Sequence, residues 1–218
     1  MTDNNDFKIL INGLKDIYGD DEERQKAVLE EQEREERKEI ELFRRRSKMP
    51  KKFLSATIES DKYTSEQKAL LDNFKSIIQL NGGGFFILFG NVGVGKTYTA
   101  CALLNSVRFG RYIDMPELRL ELQASDRWQS QRTRQDVLHY YANCRLLVVD
   151  EIGRFMGRIE EEQEVLFYLI NKRYENNLPT VLCSNFTYKE FAEFAGAAVT
   201  DRIKDCNYKM TFGAQSLR

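Results

Sequence analysis

Residues 84–100 read GFFILFGNVGVGKTYTA, and this stretch decides the fold class. The apolar run 85–89 is short and rich in aromatic and branched side chains, which favours a strand buried on both faces. The next eight residues, 90–97, form a complete GxxxxGK[ST] phosphate-binding loop, and a helix-compatible run begins at Thr97. The order of strand, glycine-rich loop and helix predicts a P-loop nucleotide-binding fold.

The chemistry of this loop requires these residue types. Glycines let the backbone turn tightly, so that its N–H groups point at phosphate oxygens, and the following helix N-terminus adds positive potential. We expect Lys96 to reach the β- and γ-phosphates and the Thr97 hydroxyl to bind Mg²⁺. The predicted nucleotide-binding residues in this stretch are Gly90, Asn91, Val92, Gly93, Val94, Gly95, Lys96, Thr97 and Tyr98.

A second apolar run, 146–151, ends in two carboxylates, Asp150 and Glu151. At such a strand end we expect Asp150 to hold Mg²⁺ through water and Glu151 to polarise the water that attacks the γ-phosphate. A third strand ends at Asn185, whose amide is predicted to orient that water or to contact the γ-phosphate. The adjacent acidic pair favours hydrolysis, so the chain is predicted to be an ATPase.

Adenine is preferred to guanine as the base. Guanine recognition normally uses an NKxD element, and residues 171–174 read NKRY inside a helical pattern. This segment begins like the guanine element but lacks its Asp. The expected cofactors are therefore ATP and Mg²⁺.

Composition limits the remaining classes of function. The 218 residues suit one globular domain with a modest extension, and a net charge of −1 gives no global basic field for nucleic acid. Four cysteines without a CxxC pair and a single histidine exclude the usual structural zinc spacings and suggest reduced thiols. Without a bilayer-length apolar run or a signal-peptide core, we expect a soluble cytoplasmic protein.

The N-terminal part differs in composition from the rest. Residues 6–18 carry an apolar stripe at helical spacing, whereas residues 20–52 are dominated by acidic and basic side chains three or four apart. A helix with so few apolar residues is typically exposed to solvent. We therefore predict a charged helical extension, 1–48, that docks a partner, and an ATPase domain, 49–218. The alternative is that the apolar stripe packs back onto its own domain.

The remaining chain alternates strands and helices. A capping box at Thr64–Gln67 predicts a helix to about Leu80, and strands are expected at about 111–115, 145–151, 180–185 and 208–212. Near-continuous apolar strands separated by helices indicate an α/β fold, a parallel sheet covered by helices on both faces.

Several short segments resemble, in order, those of the DnaC/DnaI-type bacterial helicase loaders and the related IstB transposition helpers. They are MPKKF at 49–53, the phosphate loop, VDEIG at 149–153, CSNFT at 183–187, TDRI at 200–203 and the closing GAQSLR at 213–218. The resemblance implies an AAA+ core without a separate lid domain. It implies that Asn185 is the sensor residue, that Arg202 is an arginine finger reaching a neighbouring subunit's nucleotide, and that Arg218 matches a terminal arginine near the nucleotide. The alternative for Arg202 is an ion pair within its own helix.

The same resemblance implies a function. It is an ATP-switched loader that assembles on ATP or partner binding and places a hexameric replicative helicase on single-stranded DNA during DNA replication. Two alternatives remain: an ATP-dependent regulator of a transposase, and a non-hydrolysing interaction adaptor. The candidate DNA surface combines cationic and stacking side chains, whereas the alternative is an ordinary surface loop. Its residues are Arg127, Trp128, Arg132 and Arg134.

Overall fold

The computed structural model describes residues 21–154, 157–204 and 207–212. The predicted short helix at 6–18 and Arg218 lie outside the described residues. The chain divides into two compact units, Met1–Phe43 and Arg44–Arg218. The functional division predicted between residues 48 and 49 remains a prediction.

Helix α1, Asp21–Ser47, supplies the described part of the first unit and continues into the second. Its charged side chains pair along the helix, with Arg37 3.2 Å from Glu33 and Lys38 2.5 Å from Glu35. Exposed pairs of this spacing each stabilise a helix by only about 0.2–0.5 kcal/mol. The polar face predicted from the sequence is therefore a solvated face.

The second unit begins with a short 3₁₀ helix at Lys51–Phe53 and then alternates helices and strands. The helices are α2 Ser65–Gln79, α3 Lys96–Val107, α4 Met115–Ser125, α5 Arg134–Ala142, α6 Ile159–Glu175 and α7 Tyr188–Lys204. The strands are β1 Phe85–Phe89, β2 Arg111–Asp114, β3 Leu147–Ile152, β4 Thr180–Ser184 and β5 Asn207–Thr211. The predicted capping box of α2 is present, since Thr64 and Gln67 bond each other's backbone N–H groups.

The five strands form one parallel sheet in the order β2-β3-β4-β1-β5. Alternate side chains of β1 point to opposite faces. Phe85, Ile87 and Phe89 pack in a core with α4 to α7, whereas Phe86 lies against Phe74 of α2, with ring centroids 5.1 Å apart. Helices therefore cover both faces, and the predicted α/β P-loop class is confirmed.

Element boundaries differ from the sequence-based expectation by a few residues, and the cause is local capping. Met115, expected at the end of a strand, begins α4, because the Asp114 side chain accepts a hydrogen bond from the Glu117 N–H and Pro116 suits a first helical turn. Helix α5 begins at Arg134 behind a capping box of Thr133 and Asp136. No described helix combines the length and apolarity needed to cross a membrane.

The carboxyl ends of the strands meet at one edge of the sheet. Phe89 pairs with Ser184, and Asp114 pairs with Asp150. The loops that follow β1, β3 and β4 therefore leave the sheet side by side, which is where ligands bind in open α/β sheets.

Candidate functional site

The phosphate-binding loop has the backbone that its glycines predict. Gly93 and Gly95 have φ values of 86° and 109°, in the left-handed region that side-chain-bearing residues rarely adopt. Val92 is exposed, whereas Val94 is buried and fixes the loop to the core. The loop therefore makes the tight turn that a phosphate-binding loop needs.

Lys96 is the first residue of α3 and is held at three points. Its Nζ donates to the carbonyls of Gly90 and Asn91, at 2.6 and 2.8 Å, and to Asn185 Oδ1 at 2.8 Å. Burial lowers the pKa of Lys96, and nearby acidic groups partly oppose that shift. The lysine thus connects the loop after β1 to the residue after β4, and it lines the same pocket as Thr97 and Asp150.

Thr97 and Asp150 are in direct contact across the sheet edge. The Thr97 hydroxyl donates to Asp150 Oδ2 at 2.7 Å, and the Asp150 carboxylate is buried. A hydroxyl and a carboxylate are the hard oxygen donors that Mg²⁺ prefers, and nucleotide-borne Mg²⁺ needs only one or two protein ligands. The two residues therefore fit the predicted magnesium site, and the described residues include no cluster of three or more acidic, histidine or cysteine side chains that could hold a metal on its own.

Strand β3 carries a bulge at its two acidic residues. Val149 pairs with Leu182 and Ile152 with Ser184, so two residues of β3 face one residue of β4. Glu151 takes a φ of 56°, a conformation that a residue with a side chain adopts at a cost. Adjacent residues of a regular strand point to opposite faces, and the bulge lets both carboxylates line the same pocket.

Glu151 has a cationic neighbour that sequence reasoning missed. Arg154 Nη1 lies 2.8 Å from Glu151 Oε1, and both residues line the pocket. The pair is largely exposed, so it holds the carboxylate weakly. The signal in the sequence was an arginine three residues after the acidic pair.

Strand β4 ends at Ser184, which is fully buried, and Asn185 follows it. Its hydroxyl donates to the Ile152 carbonyl at 2.9 Å and accepts from the Phe186 N–H at 3.2 Å. The Phe186 ring covers Gly153, where a Cβ would lie 2.2 Å from Phe186 Cε2. The loop after β3 and the loop after β4 are therefore interlocked.

The pocket lining also includes Lys52, Phe53 and Tyr98. Phe53 and Tyr98 meet edge to face with ring centroids 6.4 Å apart, and the Tyr98 hydroxyl accepts the Thr57 N–H at 3.3 Å. Tyr98 was predicted from its place after the loop. Lys52 and Phe53 belong to the MPKKF segment. This segment contributed to the family resemblance, but the sequence did not predict that it lines the site.

Arg202 lies apart from the pocket of its own chain. Its Nη1 donates to the Ala198 carbonyl at 2.9 Å, and its guanidinium lies 5.7 Å from the Phe167 ring and 5.9 Å from the Tyr174 ring. Its buried Nε has no acceptor among the described residues. Within the described residues, Arg202 forms no ion pair with an acid of its own helix.

The candidate DNA residues differ in their surroundings. Trp128 is 92% exposed and Arg127 is exposed as well. Arg132 lies over the Tyr140 ring at 5.0 Å, whereas Arg134 pairs with Asp126 at 3.3 Å and with Glu161 at 3.0 Å. The structure thus leaves three of the four residues exposed and pairs the fourth, Arg134, with two acids.

The NKRY segment is inside α6, away from the pocket lining. Arg173 is fully buried, and its guanidinium donates to carbonyls of Tyr141, Ala142, Cys144 and Pro179. Burial lowers the pKa of Arg173 to about 10. Arg173 therefore links α5 to β4, so this part of the NKRY segment has a structural role, and the preference for adenine stays a prediction.

A family model described as IstB-like ATP binding protein matches residues 21–218, which is most of the chain. The chain belongs to this family. Among curated proteins it is 29% identical over 123 residues to the replicative helicase loader DnaI of Bacillus subtilis (strain 168), a match that covers 55% of this chain and 39% of DnaI. It is 26% identical over 123 residues to the replicative helicase loader DnaC of Escherichia coli (strain K12), covering 55% of this chain and 49% of DnaC.

Solved structures agree with this placement. A crystal structure of DnaI has a TM-score of 0.62 at 22% identity and covers 78% of this chain and 95% of that one. A crystal structure of the DnaC helicase loader has a TM-score of 0.63 at 20% identity and covers 75% and 100%. At these identities the likeness shows the fold, and the resemblance found in the sequence motifs is confirmed.

Proposed function

We propose that this chain is a Mg²⁺-dependent ATPase that loads a replicative DNA helicase onto single-stranded DNA. One observation carries the ATPase part of the proposal: two hydrogen-bonded pairs, Lys96 with Asn185 and Thr97 with Asp150, bring three separate segments together at the sheet edge. The family description and the names of the loader relatives support the loading part.

The residues divide the work of binding between them. Backbone N–H groups of the loop and the Lys96 ammonium bind the phosphates, and the carbonyls that now hold Lys96 give way to phosphate oxygens. Thr97 and Asp150 would hold Mg²⁺, which supplies charge neutralisation and polarises phosphoryl oxygens. Phe53 and Tyr98, which line the same pocket, offer apolar surface to the base.

Hydrolysis needs a water that is oriented and deprotonated. Asn185, fixed by Lys96, positions that water through its amide, and Glu151 accepts its proton. One Glu151 oxygen is engaged by Arg154, so proton transfer uses the second oxygen or follows opening of this weak pair. Binding alone does not need Glu151, which disfavours a non-hydrolysing adaptor.

We further propose that Arg202 acts on the nucleotide of a neighbouring subunit in an assembled homo-oligomer. Two observations support this role: Arg202 is not among the residues that line its own chain's pocket, and within the described part of the chain its Nε has no acceptor. In other NTPases an arginine finger contributes about 10³–10⁵ in rate. ATP turnover should then depend on assembly.

The name of the matched family keeps a transposition helper as the second candidate. The two functions are separated by partner capture from the native host, using the full-length chain carrying Glu151→Gln as bait in ATP and Mg²⁺. We expect mass spectrometry to identify a hexameric helicase, and Lys96→Ala bait to lose it. Recovery of a transposase would favour the second candidate, and the recovered partner is then purified and tested directly.

The N-terminal extension, 1–48, is proposed as the helicase-docking element. Amphipathic helices on polar tethers commonly bind in a partner's groove. Changing Leu10 and Leu14 of the predicted stripe to Asp in the full-length chain should abolish helicase binding, measured by surface plasmon resonance, without lowering the melting temperature. A large fall in that temperature would show that the stripe packs on the chain's own core.

A further inference from the structure

The Asp150 carboxylate receives three hydrogen bonds from its own chain. Oδ2 accepts from the Thr97 hydroxyl at 2.7 Å and from the Tyr112 hydroxyl at 2.9 Å, and Oδ1 accepts from the Glu151 N–H at 2.8 Å. The threonine and the acid belong to the recognised motifs. Tyr112 belongs to none of them, and its hydroxyl has no role in the function proposed above.

The sheet register explains how Tyr112 reaches the acid. Tyr112 of β2 pairs with Val148 of β3, so Asp150 is its diagonal neighbour on the same face of the sheet. Aromatic side chains are long enough to span such a diagonal. Tyr112 is buried, and its hydroxyl is the donor in this contact, because an ionised carboxylate only accepts hydrogen bonds.

The contact restrains the rotation of the carboxylate. The last torsion of an aspartate side chain is broad and roughly two-fold, so a single donor leaves the group free to turn. With Thr97 and Tyr112 on one oxygen and Glu151 on the other, the plane of the carboxylate is fixed. Thr97 and Asp150 would hold Mg²⁺, and the Tyr112 hydroxyl would still be in place to hydrogen-bond Asp150.

We propose that Tyr112 is a positioning residue that fixes the Asp150 carboxylate for Mg²⁺ and thereby sets the Mg²⁺ affinity of the nucleotide complex. This inference rests on the proposed ATPase function. Outer-shell partners of metal ligands typically contribute about 10- to 100-fold in metal affinity. A tyrosine that merely filled the core would contribute through its ring and not through its hydroxyl.

The test uses Tyr112→Phe in the full-length protein, which removes the hydroxyl and keeps the ring. Affinity for a fluorescent ATP analogue is measured in EDTA and across a Mg²⁺ titration. We expect the affinity in EDTA to match the parent and the Mg²⁺ concentration at the midpoint to rise about tenfold. The melting temperature and the EDTA affinity report whether the variant is folded.

Tyr63 provides a matched control. It is buried to a similar degree, and its hydroxyl bonds Thr99 Oγ1 of α3 at 3.0 Å without contacting Asp150. Tyr63→Phe should leave the Mg²⁺ midpoint within about twofold of the parent. Because Thr99 Oγ1 also donates to the Gly95 carbonyl, it keeps a partner when the Tyr63 hydroxyl is lost.

A double-mutant cycle tests whether the effect passes through Asp150. In an Asp150→Asn background, Tyr112→Phe should shift the Mg²⁺ midpoint by less than about twofold. The inference is overturned if Tyr112→Phe leaves the parent's midpoint unchanged, if Tyr63→Phe shifts it equally, or if the shift persists in the Asp150→Asn background. If the parent shows no Mg²⁺-dependent nucleotide binding, the proposed function fails first and the role of Tyr112 fails with it.

Discussion

The edge of the sheet that carries the nucleotide site and the loop between α4 and α5 are both rich in charged side chains, but they hold them differently. At the sheet edge, Lys96 and Asp150 are buried, and they bond Asn185 after β4 and Thr97 of α3, respectively. In the loop, Trp128 and Arg127 face solvent, and Arg134 pairs with two acids.

The difference shows what a charged residue needs before its role can be read from sequence. At a strand end, backbone register fixes where a side chain begins, and burial forces it to find a partner. In an exposed loop, neither condition applies, and an acidic neighbour can take up the charge. Counting four candidate DNA residues therefore overstates the free positive charge of the loop.

The largest expected effect extends the comparison to Arg202, a charged group outside both regions. Arg202→Ala should lower the ATPase rate by about 10³-fold, because the finger stabilises transition-state charge. Mixing it with Lys96→Ala subunits should restore part of the activity, since each supplies what the other lacks. The assay is steady-state turnover against protein concentration, with Lys204→Ala as the control on the same helix. Activity independent of concentration, with no rescue on mixing, would contradict a role in trans.

Glu151→Gln tests the role of the sheet edge in ATP hydrolysis. The hydrolysis rate should fall by about 10²-fold or more, because a general base typically contributes 10²–10⁴. ATP affinity should stay close to that of the parent. Single-turnover hydrolysis and isothermal titration measure the two quantities, and Glu160→Gln, exposed at the start of α6, is the control. Equal losses in binding and hydrolysis would mean that Glu151 holds the nucleotide.

Lys96→Ala tests the role of the sheet edge in nucleotide binding. Its ammonium is held by the Gly90 and Asn91 carbonyls at the place where phosphates are expected, so ATP affinity should fall by about 100-fold, the equivalent of one or two charge-assisted hydrogen bonds. Isothermal titration measures the loss. Lys51→Ala, an exposed cation outside the pocket lining, should bind like the parent. Unchanged ATP binding by Lys96→Ala would mean that the nucleotide does not bind at this edge of the sheet.

The smallest expected effect is in the loop. Trp128→Ala should weaken single-stranded DNA binding by about tenfold, because base stacking on an aromatic ring contributes about 1–3 kcal/mol. Arg134→Ala should change it by less than about twofold, since its charge already has two acidic partners. Fluorescence anisotropy with a labelled oligonucleotide measures both. A larger loss for Arg134 than for Trp128 would reverse our ranking of these side chains.

Much of the fold followed from the sequence because its signals were local. The apolar runs of β1 and β3, the capping box at Thr64 and the glycine-rich loop each act within a few residues. The wrong strand end at Met115 has a local cause as well, the cap made by Asp114, which a closer reading of Pro116 could have revealed.

The rest of the site depends on pairings between distant segments. The bulge at Asp150–Glu151 arises from the register of β3 against β4, and the Tyr112 contact arises from the register of β2 against β3. No local pattern in the amino-acid sequence predicts either pairing of strands. Arg173 is a similar case, since nothing in the α6 pattern indicates that carbonyls of α5 and Pro179 surround it.

The interlocked loops after β3 and β4 have a consequence for how the protein opens. Ser184 joins Ile152 to Phe186 through its hydroxyl, and Phe186 leaves no room for a side chain at Gly153. Separating one loop from the other breaks both contacts together. We therefore expect the amide protons on both sides of this lock to exchange with solvent water in a single cooperative event, and bound nucleotide to slow that exchange in both loops by the same factor.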